Sequence, residues 1–139
     1  MTDPTFSIIA PIYNELENIP ELYQRMRDVM KTSGESWELI LVDDGSKDGS
    51  TDVIRKIAQS DDHVRPVIFA RNFGHQIAVT AGLDYSRGKA VIIIDADLQD
   101  PPEVILELIA KWRDGYEVVY AVRKEREGET WFKKVTASL

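Results

Sequence analysis

The chain reads as an α/β protein built on a doubly wound, mostly parallel sheet. Two observations lead there. Short, near-continuous apolar runs alternate with segments of helical periodicity along all 139 residues. Runs of that kind mark strands covered on both faces by helices, and right-handed crossovers make such a sheet doubly wound. Each run also ends in a polar cluster: Asn14-Glu15, Asp43-Asp44, Arg71-Asn72, Asp95-Ala96-Asp97 and Arg123. In an open α/β sheet these ends share one edge, and ligands bind beyond it.

The elements follow in order. Phe6 to Ile12 is a short apolar run. Asn18 with Glu21 three residues later resembles a capping box, with Pro20 in the first turn. Leu22, Met26, Val29 and Met30 then keep helical spacing up to Gly34. Trp37 to Val42 is the second run. Asp52 to Ala58 reads as a short helix with Val53, Ile54 and Ile57 on one side. Val64 to Ala70 is the third run, followed by a helix carrying Ile77, Ala78, Ala81 and Leu83 and ending at Gly88. Ala90 to Ile94 is the most apolar run. Asp100 and Glu103 form a second capping box around Pro101-Pro102, and Ile105, Leu108, Ile109 and Trp112 space the next helix up to Gly115. Tyr116 to Val122 is a fifth run. The composition turns densely charged from Arg123, which divides the chain into residues 1–122 and a basic tail, 123–139. Trp131, Val135 and Leu139 in that tail lie at i, i+4, i+8, the spacing of an amphipathic helix.

Composition excludes several function classes. Hydrophobic residues are 43% and charged residues 29% of the chain, ordinary for a folded domain. There is no cysteine, which removes disulfides, thiolate metal sites and cysteine nucleophiles. Two histidines make zinc a poor fit, whereas oxygen ligands suit Mg²⁺ or Mn²⁺. A net charge of −7 argues against nucleic acid as a partner. The first residues form no signal segment, and no apolar window is long enough to span a membrane, so the chain is expected to be soluble.

The chemistry concentrates at Asp95 and Asp97. On an extended backbone, i and i+2 point the same way, so both carboxylates can aim at one cation beyond a strand end. The plainer reading is a turn cap, but two aspartates on one side, leading into Gln99, favour a metal and the diphosphate it would hold. No G-x-G-x-x-G follows the first run and no G-x-x-x-x-G-K-[ST] occurs anywhere, which argues against a dinucleotide cofactor and excludes a P-loop. Asp43-Asp44-Gly45-Ser46 is either an Asx-capped turn or a carboxylate pair satisfied by a ribose or a base. Asn14-Glu15 and Arg71 are each as easily loop residues as site residues. His75 and His63 are read as structural and surface histidines, and Trp37 and Trp112 as core.

These residues fall in a familiar order. Ser7-Ile8-Ile9-Ala10-Pro11-Ile12-Tyr13-Asn14-Glu15, Val42-Asp43-Asp44-Gly45-Ser46-Lys47-Asp48-Gly49-Ser50 and Asp95-Ala96-Asp97 resemble three motifs of family 2 glycosyltransferases. Arg71-Asn72-Phe73-Gly74-His75-Gln76, Ala81-Gly82 and Asp97-Leu98-Gln99-Asp100-Pro101-Pro102-Glu103 look like its polyprenyl-phosphate branch, that of dolichol-phosphate mannose synthases and GtrB-like bacterial glucosyltransferases. The resemblance runs from about Ser7 to Lys134.

It implies a GT-A type fold and a metal-dependent, inverting transfer of sugar from a nucleotide-diphosphate sugar, of UDP-glucose or GDP-mannose type, to polyprenyl phosphate. Carried over by position, Pro11, Tyr13, Glu15, Val42 and Asp44 would hold base and ribose. Asp95, Asp97 and Gln99 would hold the metal and the diphosphate, with Ala96 and Arg71 beside them. Arg123 would sit near the donor or acceptor phosphate, with Arg126, Lys133 and Lys134 as further acceptor contacts. An acceptor phosphate is already anionic near neutral pH, so the lack of an evident general base is no obstacle.

The family's further acceptor-side strands do not appear in the pattern. The chain is therefore expected to be truncated at its C-terminal side, with an open fifth strand that invites a second copy. The tail helix would either rest on a membrane through Lys133 and Lys134 or pack on protein beyond the chain, and the full-length protein would act at the cytoplasmic face. Alternatives are a catalytically silent nucleotide-sugar-binding module, a family 2 transferase with a saccharide acceptor, and a receiver domain. The receiver reading needs its acidic pair after the first run, where this chain has Asn14-Glu15.

Overall fold

The structure is a computed structural model that describes residues 2–115 in full and the backbone of 118–123 and 130–135. Strand β1 (Phe6–Ile12) leads into α1 (Ile19–Ser33), β2 (Trp37–Asp43), α2 (Ser50–Ser60), β3 (Val64–Ile68), α3 (His75–Tyr85), β4 (Ala90–Ile93) and α4 (Val104–Arg113), then β5 (Val118–Arg123) and β6 (Thr130–Val135). The main sheet has four strands in the order β3-β2-β1-β4. Every pairing in it is parallel, with Ile9 opposite both Ile40 and Ile93 and Leu39 opposite Val64. The chain steps outward from β1 through β2 to β3, then crosses back to lay β4 on the free side of β1. That reversal is the switch point of a doubly wound sheet, with β1 and β4 flanking it.

The two faces bury different residues. Phe6, Ile8, Ala10 and Ile12 of β1 alternate into the larger core with residues of α1, α2 and α4. Ile9 points the other way and packs with Ile40, Val42 and Ala78 of α3. Helix α1 forms because Leu22, Met26, Val29 and Met30 make one apolar stripe, and all four are buried. Gly34 ends it with φ 72, a conformation that costs glycine little. The Phe6 ring meets Trp112 edge-on at 5.1 Å. In α3 the sheet contact comes from Ala78 and Gly82, while Ile77 and Leu83 stay exposed.

A buried carboxylate ties the strands together at the edge where they begin. Glu38 on β2 is 2% exposed. It accepts hydrogen bonds from Ser7 Oγ at 2.5 Å, Arg65 Nη1 at 2.7 Å and the Arg87 backbone N–H at 2.8 Å. Burial pushes its pKa up, but these donors outweigh burial and hold it below the usual carboxylate range.

Several expectations are corrected. The capping box at Asn18 does not form, because the Asn18 amide turns back to Glu15 Oε2 at 2.7 Å. In the box expected at Asp100 and Glu103, the glutamate is drawn elsewhere. Helix α4 starts only at Val104, and the Glu103 carboxylate is taken by Arg25 at 2.5 Å. Helix α3 stops at Tyr85 rather than Gly88, and the Gly88 N–H instead donates to Ser7 Oγ at 2.8 Å.

The largest correction concerns the fifth run and the tail. Strand β5 is not a further strand of the main sheet. It pairs antiparallel with β6, Val118 opposite Val135 and Arg123 opposite Thr130. The amphipathic helix expected through Trp131, Val135 and Leu139 is a strand over Thr130–Val135. Arg126 and Leu139 lie outside the described residues. Among the described residues, no helix is long and apolar enough to cross a membrane.

Candidate functional site

Four of the five polar clusters meet at the edge of the main sheet where its strands end. The parallel ladder carries them there. Ile94 N–H bonds to Ile9 O at 2.9 Å, Asp44 N–H to Ile12 O at 2.8 Å and Phe69 N–H to Asp43 O at 2.9 Å. The loops that follow are thereby launched side by side. The fifth cluster, Arg123, closes β5 in the separate ribbon, and its side chain lies outside the described residues.

A cleft of about 450 Å³ opens at the β1/β4 switch point, within the usual range for a small-molecule site. Its walls are Pro11, Ile12, Tyr13 and Glu15 after β1, Asp44 after β2, Asn72, Gly74 and His75 before and at the start of α3, and Asp95, Ala96 and Asp97 after β4. Seven residues assigned from sequence are therefore brought together: Pro11, Tyr13, Glu15, Asp44, Asp95, Ala96 and Asp97. Tyr13 is 47% exposed, which leaves its ring free to cover a ligand.

Three others stand apart from the cleft walls. The Val42 side chain is fully buried in the smaller core, against Ile9, Ile40 and Ala78. Arg71 is exposed, with its guanidinium 4.0 Å above the Phe73 ring. Gln99 is exposed and follows the turn that begins at Asp97.

Asp95 and Asp97 are both exposed, and Ala96 between them is buried, as alternation beyond a strand requires. Asp97 also serves its own turn, since Oδ1 accepts the Gln99 N–H at 3.1 Å and Leu98 adopts φ 62. The turn fixes where the carboxylate stands. Among the described residues there is no cluster of three metal-ligating side chains. Two carboxylates facing a cleft still fit Mg²⁺ or Mn²⁺, because such ions often take one or two protein carboxylates and complete their shell with substrate phosphates and water.

The loops after β1 and β2 lock each other. Asn14, at φ 54, donates its N–H to Ser46 Oγ and accepts the Lys47 N–H at its Oδ1, each at 2.9 Å. Glu15 N–H reaches Ser50 Oγ at 3.2 Å and Leu16 N–H reaches Asp48 Oδ2 at 3.1 Å. The Ser50 hydroxyl and amide hold the Asp48 carboxyl below its ordinary pKa. Asp43 is the turn cap, accepting the Ser46 N–H at 2.9 Å and the Thr51 hydroxyl. Asp44, 3% exposed, takes its donors from Asn72, Phe73 and Gly74.

Asn72, Gly74 and His75 are wall residues to which sequence reasoning gave no role, although Arg71-Asn72 marked the right loop. Helix α3 begins at His75 with no side-chain cap. The N-terminal, positive end of the helix therefore lies at the cleft.

Comparison with known proteins agrees with this geometry. Residues 7–138 match the family model described as glycosyl transferase family 2. The uncharacterized glycosyltransferase YkcC of Bacillus subtilis is 57% identical over 134 residues, which is 96% of this chain and 42% of that protein. The undecaprenyl-phosphate 4-deoxy-4-formamido-L-arabinose transferase of Salmonella typhimurium is 39% identical over 134 residues, 96% of this chain and 41% of that one. The chain thus spans about two fifths of these relatives. Among solved structures, a mannosyltransferase from Pyrobaculum calidifontis in complex with GDP-Man and Mn²⁺ superposes with a TM-score of 0.72 at 23% identity, over 92% of this chain and 38% of its own. Switch-point cleft, paired aspartates and matched sequence agree: the chain belongs to glycosyl transferase family 2 and carries a GT-A type α/β fold.

Proposed function

We propose that this chain is the donor-binding part of a glycosyltransferase that moves a sugar from a nucleotide-diphosphate sugar to polyprenyl phosphate, with a divalent metal and inversion at the anomeric carbon. The observation that carries the reading is the cleft at the β1/β4 switch point, with Asp95 and Asp97 on one wall and the Pro11–Glu15 and Asp44 loops on the others. The relative that acts on undecaprenyl phosphate supports the acceptor class. The neighbour bound to GDP-Man and Mn²⁺ supports the donor and metal classes.

Each wall then has a task. Pro11, Tyr13 and Glu15 face the nucleoside, with Tyr13 exposed as a cover for the base. Asp95 and Asp97 would hold a Mg²⁺ or Mn²⁺ ion, with Gln99 on the turn beside them. When bound, that ion supplies Lewis-acid stabilisation of the diphosphate leaving group. The N–H groups at the start of α3 face the same negative charge. An oxygen of the acceptor phosphate attacks the anomeric carbon from the face opposite the diphosphate, and the bond to the donor phosphate breaks with its electron pair. Arg71 and Arg123 are the cations this reading assigns to the phosphates, though neither is among the described residues that line the cleft, and Lys133 and Lys134 belong to β6 rather than to a helix.

The test is a thermal-shift panel of UDP-, GDP- and dTDP-sugars with and without Mn²⁺, followed by incubation with polyprenyl phosphate. A ligand at 100 times its dissociation constant should add about 2.7 kcal/mol of stability. No shift from any nucleotide with metal present would refute donor binding. A shift without lipid-linked sugar product would refute transfer by this chain.

A further inference from the structure

A second groove lies at the opposite edge of the sheet, where β2 and β3 begin. Its volume is about 600 Å³, room for a small organic molecule. Helix α1 supplies Tyr23, Arg27 and Lys31 to its lining, and the starts of β2 and β3 supply Trp37, Asp61 and His63. The donor-site reading uses none of these residues.

The aromatic part of the groove is held in place. The His63 ring stacks on Trp37, with centroids 4.2 Å apart and planes 6° from parallel. Its Nδ1 meets Asp61 Oδ1 at 2.8 Å, and an ionised carboxylate only accepts, so Nδ1 carries a proton. Asp61 also accepts the His63 backbone N–H at 2.9 Å and the Tyr23 hydroxyl at 2.6 Å. Trp37 is buried, whereas the His63 side chain is 51% exposed. One face of the imidazole is therefore covered by the indole, and the other is open.

The charges do not cancel in the same way. Burial pushes the Asp61 carboxyl up, but its donors outweigh burial and hold it below the usual carboxylate range. The second carboxylate of the lining, Glu35, is taken by Arg113 at 2.5 Å. Arg27 and Lys31 stand one turn apart on α1 and are both exposed. Neither forms an ion pair among the described residues. In a chain of net charge −7, two cations without a counter-ion beside a groove whose acids are already engaged suit an anion. Arginine offers phosphate oxygens a planar fork, and lysine offers a point charge. A phosphate alone would fill a small part of the groove, and the open imidazole face suits a flat ring.

We propose that this groove is a second ligand site, for a small molecule that carries a phosphate on a flat ring, with Arg27 and Lys31 on the phosphate and the His63 ring against the body. The site is separate from the donor cleft and needs neither Asp95, Asp97 nor a metal.

The experiment is NMR titration of the amide and indole N–H signals with phenyl phosphate, methyl phosphate and phenol, all in chelator. Phenyl phosphate is expected to saturate, to shift the Trp37 indole and His63 amide signals, and to bind at least about fivefold more tightly than methyl phosphate, the worth of one ring contact. Phenol should not saturate. Arg27→Gln and Lys31→Gln should each weaken phenyl phosphate at least about fivefold, the worth of one charge-assisted hydrogen bond. Both side chains are exposed, so urea unfolding of the two variants should match wild type. Shifts that centre on the donor cleft, shifts that never saturate, or an affinity that survives both substitutions would overturn the site. Phenol binding as tightly as phenyl phosphate would overturn the role of the cations. Equal affinity for methyl and phenyl phosphate would overturn the role of the ring.

Discussion

Replacing Glu38 by Gln tests how the sheet is held behind the cleft. Glu38 is 2% exposed. Its carboxylate accepts Ser7 Oγ, Arg65 Nη1 and the Arg87 N–H, with Arg87 Nε at 3.1 Å and Nη2 at 3.0 Å as further donors. Glutamine keeps the shape, but its amide must turn a donor toward one of these donors. Breaking a buried ion pair costs about 3–5 kcal/mol. The Arg65 and Arg87 side chains are 29% and 45% exposed, so water rescues part of their charge, and about 3 kcal/mol is expected. For a chain of this size that lowers Tm by about 10 °C.

The pH dependence has a definite sign. The folded pKa of Glu38 lies below the unfolded value, so its stabilisation is fully present above that unfolded value, about 4.3, and is lost as pH falls through the folded pKa. Glutamine does not titrate. Urea unfolding of both proteins should therefore show a gap that is constant near pH 7 and narrows below about pH 4. A loss under about 1 kcal/mol, or a gap that does not narrow in acid, would refute the ion-pair account.

Other expectations follow from the same geometry. Gly45→Ala combines a left-handed φ with overlap on the Arg71 main chain, so urea unfolding should show a loss of about 2 kcal/mol or more, and titration weaker nucleotide binding. Arg25→Ala removes a bond to Glu103 that lies at the surface, with side chains 32% and 52% exposed. Its cost in the same assay should stay under about 1 kcal/mol. Because Asp95 and Asp97 belong to no cluster of three side chains placed to hold a metal among the described residues, calorimetry should show Mn²⁺ binding weakly alone and at least about tenfold more tightly with UDP or GDP present.

Much of the fold was legible because buried parallel strands leave long apolar runs. The sheet, the helix stripe Leu22–Met26–Val29–Met30 and the clustering of strand ends all follow from it. The tail was not legible, for a geometric reason. A spacing of four residues, as between Trp131 and Val135, fits both a period near 3.6 and a period of 2, so it cannot tell a helix from a strand. The Asn18 box lost to a local competitor, Glu15 three residues earlier, whereas Glu103 was drawn off by a tertiary one, Arg25, 78 residues away in sequence.

The site divides in the same way. Asp95 and Asp97 carry their signal in local spacing. The engagement of Asp44 by residues 72–74 spans nearly thirty positions, and no local pattern reveals it. Glu38 did leave a trace, a charge inside an otherwise apolar central strand. Such a residue needs a paired charge, and Arg65 and Arg87 supply it.

The central claim is that Asp95 and Asp97 bind a nucleotide diphosphate through a divalent ion. Its most direct measurement is calorimetric titration of UDP and GDP into wild type and Asp97→Ala, each with Mn²⁺ and with chelator. The account predicts tight binding only for wild type with Mn²⁺, and equal, weak binding in the other three conditions. Binding that survives chelator unchanged, or Asp97→Ala binding that still responds to Mn²⁺ as wild type does, would contradict it.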